Sequence, residues 1–189
     1  MGAAPVVKLS VEEYLAADRG AELPSEYHDG ELFPISAVSW EHGLIVANLS
    51  RRIAERLEGG SCHIAAQVRI GVGPTTFVFP DQVVVCGKPE FADEEKDTIT
   101  NPKVIVEVLS PSTADCDYGG KFALYRRLPS LEEYVLIAQA RPNVDVFLKT
   151  PEGRWLLTPY EGLQAVVKLD SLGIALPMAE LYAGVEFKP

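Results

Sequence analysis

The run Val104-Ile105-Val106-Glu107-Val108-Leu109 constrains this chain more than any other stretch. Branched apolar residues at almost every position describe a strand covered on both faces, which belongs in the middle of a sheet. Glu107 interrupts it. Burying an unpaired carboxylate there costs roughly several kcal/mol, so the residue requires a partner. The preceding strand, Gln82 to Cys86, opens on Pro80-Asp81, and a turn-rich connection from Gly87 to Pro102 returns the chain. Antiparallel pairing of the two strands places Asp81 beside Glu107, with Cβ atoms roughly 5 Å apart. Carboxylates that close repel each other, and a divalent cation between them relieves the repulsion.

Leu109-Ser110-Pro111-Ser112-Thr113 cannot continue a central strand, and the pattern after it predicts a helix from about Cys116 to Arg127. Lys121 lies near its first turns, where a long amine reaches back over the strand end just left. Asp81, Glu107 and Lys121 are therefore expected to converge.

Elsewhere the local signals are ordinary. Ser10 and Glu13 form the ends of a capping box that opens a short helix. Asp29-Gly30 marks a hairpin between short strand-like runs. Apolar residues at Leu44, Ile45, Leu49, Ile53 and Leu57 repeat with a helical period from Trp40 to Leu57, stopped by Gly59-Gly60. Loose alternation from Cys62 to Val72 predicts one edge or half-buried strand. Leu131 to Ile137 reads as a further apolar strand. Val144 to Lys149 and Trp155 to Tyr160 read as a hairpin around Pro151-Glu152-Gly153. Val166 to Leu172 predicts a last strand, and Ile174 to Leu181 a closing helix. No repeat or linker divides the 189 residues, so residues 1–189 are read as one α/β domain with a helix on each side of its sheet.

Composition narrows the function classes. Three cysteines without C-x-x-C spacing suggest neither a disulfide framework nor a zinc knuckle, and the plain expectation is reduced thiols in the cytoplasm. No apolar run reaches the ~18 residues of a membrane span. A net charge of -10 argues against a broad basic DNA-binding face, although Arg51, Arg52, Arg56, Lys121, Arg126 and Arg127 allow a local basic patch.

Pro-Asp at 80–81, the strand ending Glu107-Val108-Leu109-Ser110-Pro111-Ser112-Thr113, Asp117 with Lys121-Phe122 and Tyr125, and Pro129-Ser130-Leu131 with Glu133-Tyr134 together resemble a known pattern. They resemble the bacterial restriction endonuclease family abundant in cyanobacteria, within the PD-(D/E)XK nuclease superfamily. The likeness extends from Leu9-Ser10-Val11 through Asp29-Gly30-Glu31-Leu32 and His42 to the Trp155 hairpin. It implies a restriction-endonuclease-like mixed β-sheet flanked by helices, with an N-terminal hairpin and extra C-terminal strands. It also implies cleavage of DNA with magnesium, or manganese in its place.

Asp81 and Glu107 would bind the metal with the Val108 carbonyl completing a half-shell, and Lys121 would assist the attacking water. The standard motif places its lysine where this chain has Leu109, so the role passes to Lys121 on the next helix. Glu31 and His42 are further candidates to complete the shell. Two other readings stand beside the nuclease: an inactive nucleic-acid or protein binding module, and a self-assembling domain, a homodimer through Val144 to Tyr160.

Overall fold

The computed structural model describes residues 8–110 and 116–187. Helix α1, Val11–Arg19, begins with the expected capping box. Glu13 N–H donates to Ser10 Oγ, and Ser10 N–H donates to the Glu13 carboxylate. Strands β1, Ser25–His28, and β2, Glu31–Pro34, form the expected hairpin. Its two turn residues, Asp29 and Gly30, both have positive φ, the geometry that matches the twist of the strands. At Gly30 a Cβ would lie 2.7 Å from Lys8 Cβ, so no larger residue fits.

Helix α2, Trp40–Leu57, is capped by Ser39 and buries His42, Ile45, Leu49 and Ile53 on one face. The predicted single strand from Cys62 to Val72 is instead two. Gln67 sits at φ 52, a left-handed kink, and separates β3, Cys62–Ala66, from β4, Arg69–Gly71. Loose alternation on both sides of the kink hides the break.

Next come β5, Thr76–Val78, β6, Gln82–Cys86, β7, Thr98–Ile99, and β8, Val104–Leu109. Part of the Leu109-to-Thr113 break lies outside the described residues. The predicted helix from Cys116 to Arg127 is shorter and wider than expected: a π-helical segment, Cys116–Lys121, leads into one turn of α-helix, α3, Phe122–Tyr125. Then follow β9, Glu133–Ala138, and the predicted hairpin β10, Asn143–Lys149, with β11, Trp155–Glu161. The end differs from expectation. Ile174–Pro177 is a strand, β13, paired with β12, Val166–Leu169, and only Met178–Leu181 is helical, as α4. Pro177 accounts for that, since its ring suits the start of a helix and not the interior of one.

A six-stranded sheet in the order β11-β10-β9-β8-β6-β3 carries the molecule, with β8 and β9 parallel and its other pairs antiparallel. A second sheet runs β2-β1-β5-β4-β7. The fold is thus mixed α/β. Strand β8 is apolar throughout because both its faces are covered. Val104, Val106 and Val108 pack with α2, α4 and the β12–β13 pair, while Ile105 and Leu109 pack with β4, β5 and Tyr125. Val104, Ile105 and Val106 are fully buried, each contributing about 1.5–3 kcal/mol. Glu107 therefore faces the second of these cores.

Cysteine pairing corrects an expectation. Cys62 and Cys86 lie opposite each other in the β3–β6 register and form a disulfide. Their sequence separation of 24 residues carries no sign of it; only strand pairing brings them together. Among the described residues no helix is long and apolar enough to cross a membrane.

Candidate active site

Strands β6 and β8 pair antiparallel with Gln82 opposite Val106, so the next residues outward are Asp81 and Glu107. Their contacts are direct. Asp81 N–H donates to Glu107 Oε2 at 3.3 Å, and Val108 N–H donates to Asp81 Oδ2 at 2.7 Å. In an extended strand the N–H and C=O of one residue point to the same side, so the Val108 carbonyl also faces Asp81. The other Asp81 oxygen, Oδ1, lies 2.9 Å from His42 Nε2 on the first turn of α2. An ionised carboxylate only accepts, so that nitrogen carries the proton. Burial of His42 and the Ser39 cap hold the ring in place.

Glu107 is 4% exposed, and its partners explain how it is tolerated. Tyr125 OH donates to Oε1 at 2.7 Å, and Lys121 Nζ lies 3.2 Å from the same oxygen. Burial and the neighbouring Glu107 charge push the Tyr125 hydroxyl well above its ordinary pKa, so it remains a neutral donor. The π-helical segment places Lys121 over the β8 end, and the following α-turn places Tyr125 beneath it.

Lys121 has a second partner. Its Nζ lies 3.2 Å from Glu26 Oε1, on β1 of the other sheet. Burial raises the Glu26 pKa, but His28, Lys121 and the Phe79 N–H together outweigh that and hold it below the usual value. Glu26 is the residue that sequence reading missed. The nearest signal was the alternation of the hairpin, which puts Glu26 and His28 on one side of β1, but nothing local indicated which side faces the other sheet. Glu31, expected from the same hairpin, stands exposed on β2 with its carboxylate 4.0 Å from Lys8 Nζ. It is not among the described residues lining the cavity at the site. The structure thus brings together Asp81, Glu107, Lys121, His42 and the Val108 backbone, with Glu26 where Glu31 was expected.

The cavity measures about 900 Å³. Its lining includes the polar Glu26, His28, His42, Asp81, Glu107 and Lys121 and the apolar Phe33, Ile35, Val38, Phe79 and Leu124, with Phe33 beside Glu26 in the β1–β2 register. A smaller cavity of about 510 Å³, near Cys62, has only the exposed Glu55, Glu58 and His63 as ionisable groups. Chemistry is concentrated in the larger one.

Among the described residues no three His, Cys, Asp or Glu side chains are arranged to enclose a metal. Asp81 and Glu107 offer carboxylate oxygens and Val108 a carbonyl, all hard donors on adjacent strand ends. That donor set fits magnesium, which demands oxygen, keeps several waters and binds through one or two carboxylates plus substrate phosphates.

Comparison with known proteins decides the lineage. Residues 11–179 match the model of a family described as "Uma2: Putative restriction endonuclease". The chain belongs to the Uma2 family. Two Synechocystis sp. relatives, both described as uncharacterized proteins, share its length. The protein slr1290 is 34% identical over 97% of this chain and 96% of its own. The protein sll1609 is 33% identical over 88% of this chain and 95% of its own. A crystal structure from Anabaena variabilis, described as "a putative nuclease belonging to DUF820", superposes with a TM-score of 0.74 at 18% identity. The match covers 93% of this chain and 98% of that one. At that identity the likeness speaks for the fold, which is the fold of this Uma2 chain. The family agrees with the PD-(D/E)XK pattern read in the sequence.

Proposed function

We propose that this chain is a metal-dependent endonuclease that hydrolyses phosphodiester bonds in DNA, with Asp81, Glu107 and the Val108 carbonyl as the metal half-shell. The observation that carries the reading is the convergence of two carboxylates from adjacent strands with Lys121, on the wall of one cavity. Membership in a family described as restriction endonucleases supports DNA as the substrate.

A bound magnesium, or manganese in its place, supplies a more acidic water and neutralises charge developing on the phosphate. Asp81 and Glu107 would hold it at the ends of two adjacent interior strands, and His42 and the Val108 N–H fix the orientation of Asp81. Lys121, beside Glu107, would offer its ammonium to the attacking water or the phosphate oxygens. The water oxygen forms the new bond to phosphorus while one ester oxygen leaves. The water gives up a proton, and the departing oxygen acquires one.

Glu26, 3.2 Å from Lys121 Nζ, gives the ammonium a second anionic partner beside Glu107. Purified protein with magnesium is expected to nick supercoiled plasmid, and Glu107→Ala to lose that activity. Equal residual cleavage by both proteins removes the claim.

Leu109 in the usual lysine position favours one other reading, a binding module that keeps the fold without turnover. Titration calorimetry with manganese separates the two. Heat that disappears in Asp81→Ala supports the metal site, and no heat with the native protein supports the module.

A further inference from the structure

Part of the cavity lining is apolar and open. Phe33, on the edge strand β2, is 46% exposed, and Val38, just before α2, is 56% exposed. Both line the same cavity as Asp81 and Glu107, as do Ile35, Phe79 and Leu124. The Phe33 ring meets the His28 ring edge-on at 5.2 Å, which steadies it without covering it. Exposed apolar side chains grouped along a cavity beside charged groups, rather than scattered singly, mark a surface suited to a ligand.

Charge at the site restricts what that occupant is. Lys121 is the single lysine or arginine among the described lining residues, against the carboxylates of Glu26, Asp81 and Glu107. One divalent cation brings that excess of two negative charges to zero and so removes the repulsion that a single phosphodiester would otherwise meet there. A duplex needs a track of cations along its phosphates, and it hides its base faces inside the stack. An unpaired nucleotide offers both things this cavity can hold, a single phosphate for the acids and a free base face for the apolar lining.

We infer that the site takes single-stranded or splayed-out DNA, with a base against Phe33 and Val38 and the adjoining phosphate at Asp81 and Glu107. The inference rests on the nuclease reading for the phosphate half; the apolar lining is independent of it.

Fluorescence anisotropy tests it on the full chain, with calcium as a hard cation in place of magnesium. The probes are a short labelled DNA strand, the same strand annealed to its complement, and an RNA strand of that sequence. The single DNA strand is expected to bind about ten-fold tighter than the duplex. Phe33→Ala is expected to weaken it about 5- to 150-fold, the worth of one stacked base. Phe33→Leu, which keeps the apolar volume without the ring, is expected to lose a smaller part. That variant carries the test if Phe33→Ala melts lower than the native protein.

Equal or tighter duplex binding overturns the inference, as does unchanged affinity in both Phe33 variants. Tighter RNA binding overturns the assignment to DNA. Light scattering that shows a dimer dissociated by Phe33→Ala also overturns it, since a second copy then covers that lining. Tight single-strand binding without cleavage in magnesium leaves this inference standing and removes the nuclease reading alone.

Discussion

Around Arg69, three aspartates meet two guanidinium groups; around Lys121, three carboxylates meet one ammonium. In the first cluster Arg69 reaches Asp18 at 2.6 Å and Asp97 at 3.0 Å, while Arg19 reaches Asp93 at 2.6 Å and Asp97 at 2.8 Å. The Arg69 guanidinium also lies over the rings of Tyr14 and Phe79. Asp97 is held far below the usual carboxylate range, chiefly by its hydrogen bond from Arg19. Every acid there has a planar fork to meet it.

In the second cluster Asp81 is held by a histidine and a peptide N–H, while Glu26 and Glu107 share one amine. That cluster also lines a cavity of about 900 Å³. Both clusters join elements of the fold and both hold more acids than cations, but the larger surplus, three against one, lines the cavity. The difference separates a brace from a site more reliably than burial does.

The largest expected effect falls on the site. Glu107→Gln is expected to lower plasmid cleavage by about 10³-fold or more, since a ligand of the metal half-shell is lost. Its melting temperature should be unchanged or higher, because a buried charge disappears. A fall in stability matching that of a broken brace would erase the distinction between the clusters.

On the other side, Asp18→Ala is expected to cost about 3 kcal/mol by leaving Arg69 short of its closest buried partner. Denaturant unfolding measures it, and cleavage per folded molecule should not change. Lys121→Met is expected to cut turnover about 10²-fold with little change in metal affinity, read by calorimetry beside the cleavage assay. A matching loss of metal binding would instead make Lys121 a structural partner of Glu107.

The smallest effect is in pH dependence. Glu26 is held below the ordinary 4.5, so the stability it contributes is present above that value and is lost as pH falls through the lower folded value. Glu133 runs the other way. Burial raises its pKa above 4.5, despite the 2.7 Å hydrogen bond from Ser171 Oγ. Its contribution is present below 4.5 and lost as pH rises through the folded value. Melting curves from about pH 6 to about pH 3 should therefore change slope in opposite directions for Glu26→Gln and Glu133→Gln. Slopes of the same sign would contradict the assignment of Glu26 to Lys121.

Much of this was legible along the chain. Glu107 inside a branched apolar run announced a charged group within a covered strand, and Pro80-Asp81 at the start of the neighbouring strand supplied its partner through register alone. Those features are local, since strand period and pairing direction follow from a few adjacent residues. The kink at Gln67, the Cys62–Cys86 pair and the choice of Glu26 over Glu31 were not local. Each depends on which sheet a short segment joins, and competing alternation patterns are nearly equal in energy until packing selects one.

What the amino-acid order alone determined was therefore the central pair of strands and the acids they carry. Tertiary structure decided which residues surround that pair. Lys121 can bridge Glu107 to Glu26 only because the second sheet folds over the first, and Phe33 lines the same cavity only because its strand β2 pairs with β1 at the edge of that second sheet. Contacts between sheets are made by residues far apart in sequence, and the free energy that selects them is the burial of the surface between the layers, which no short stretch contains.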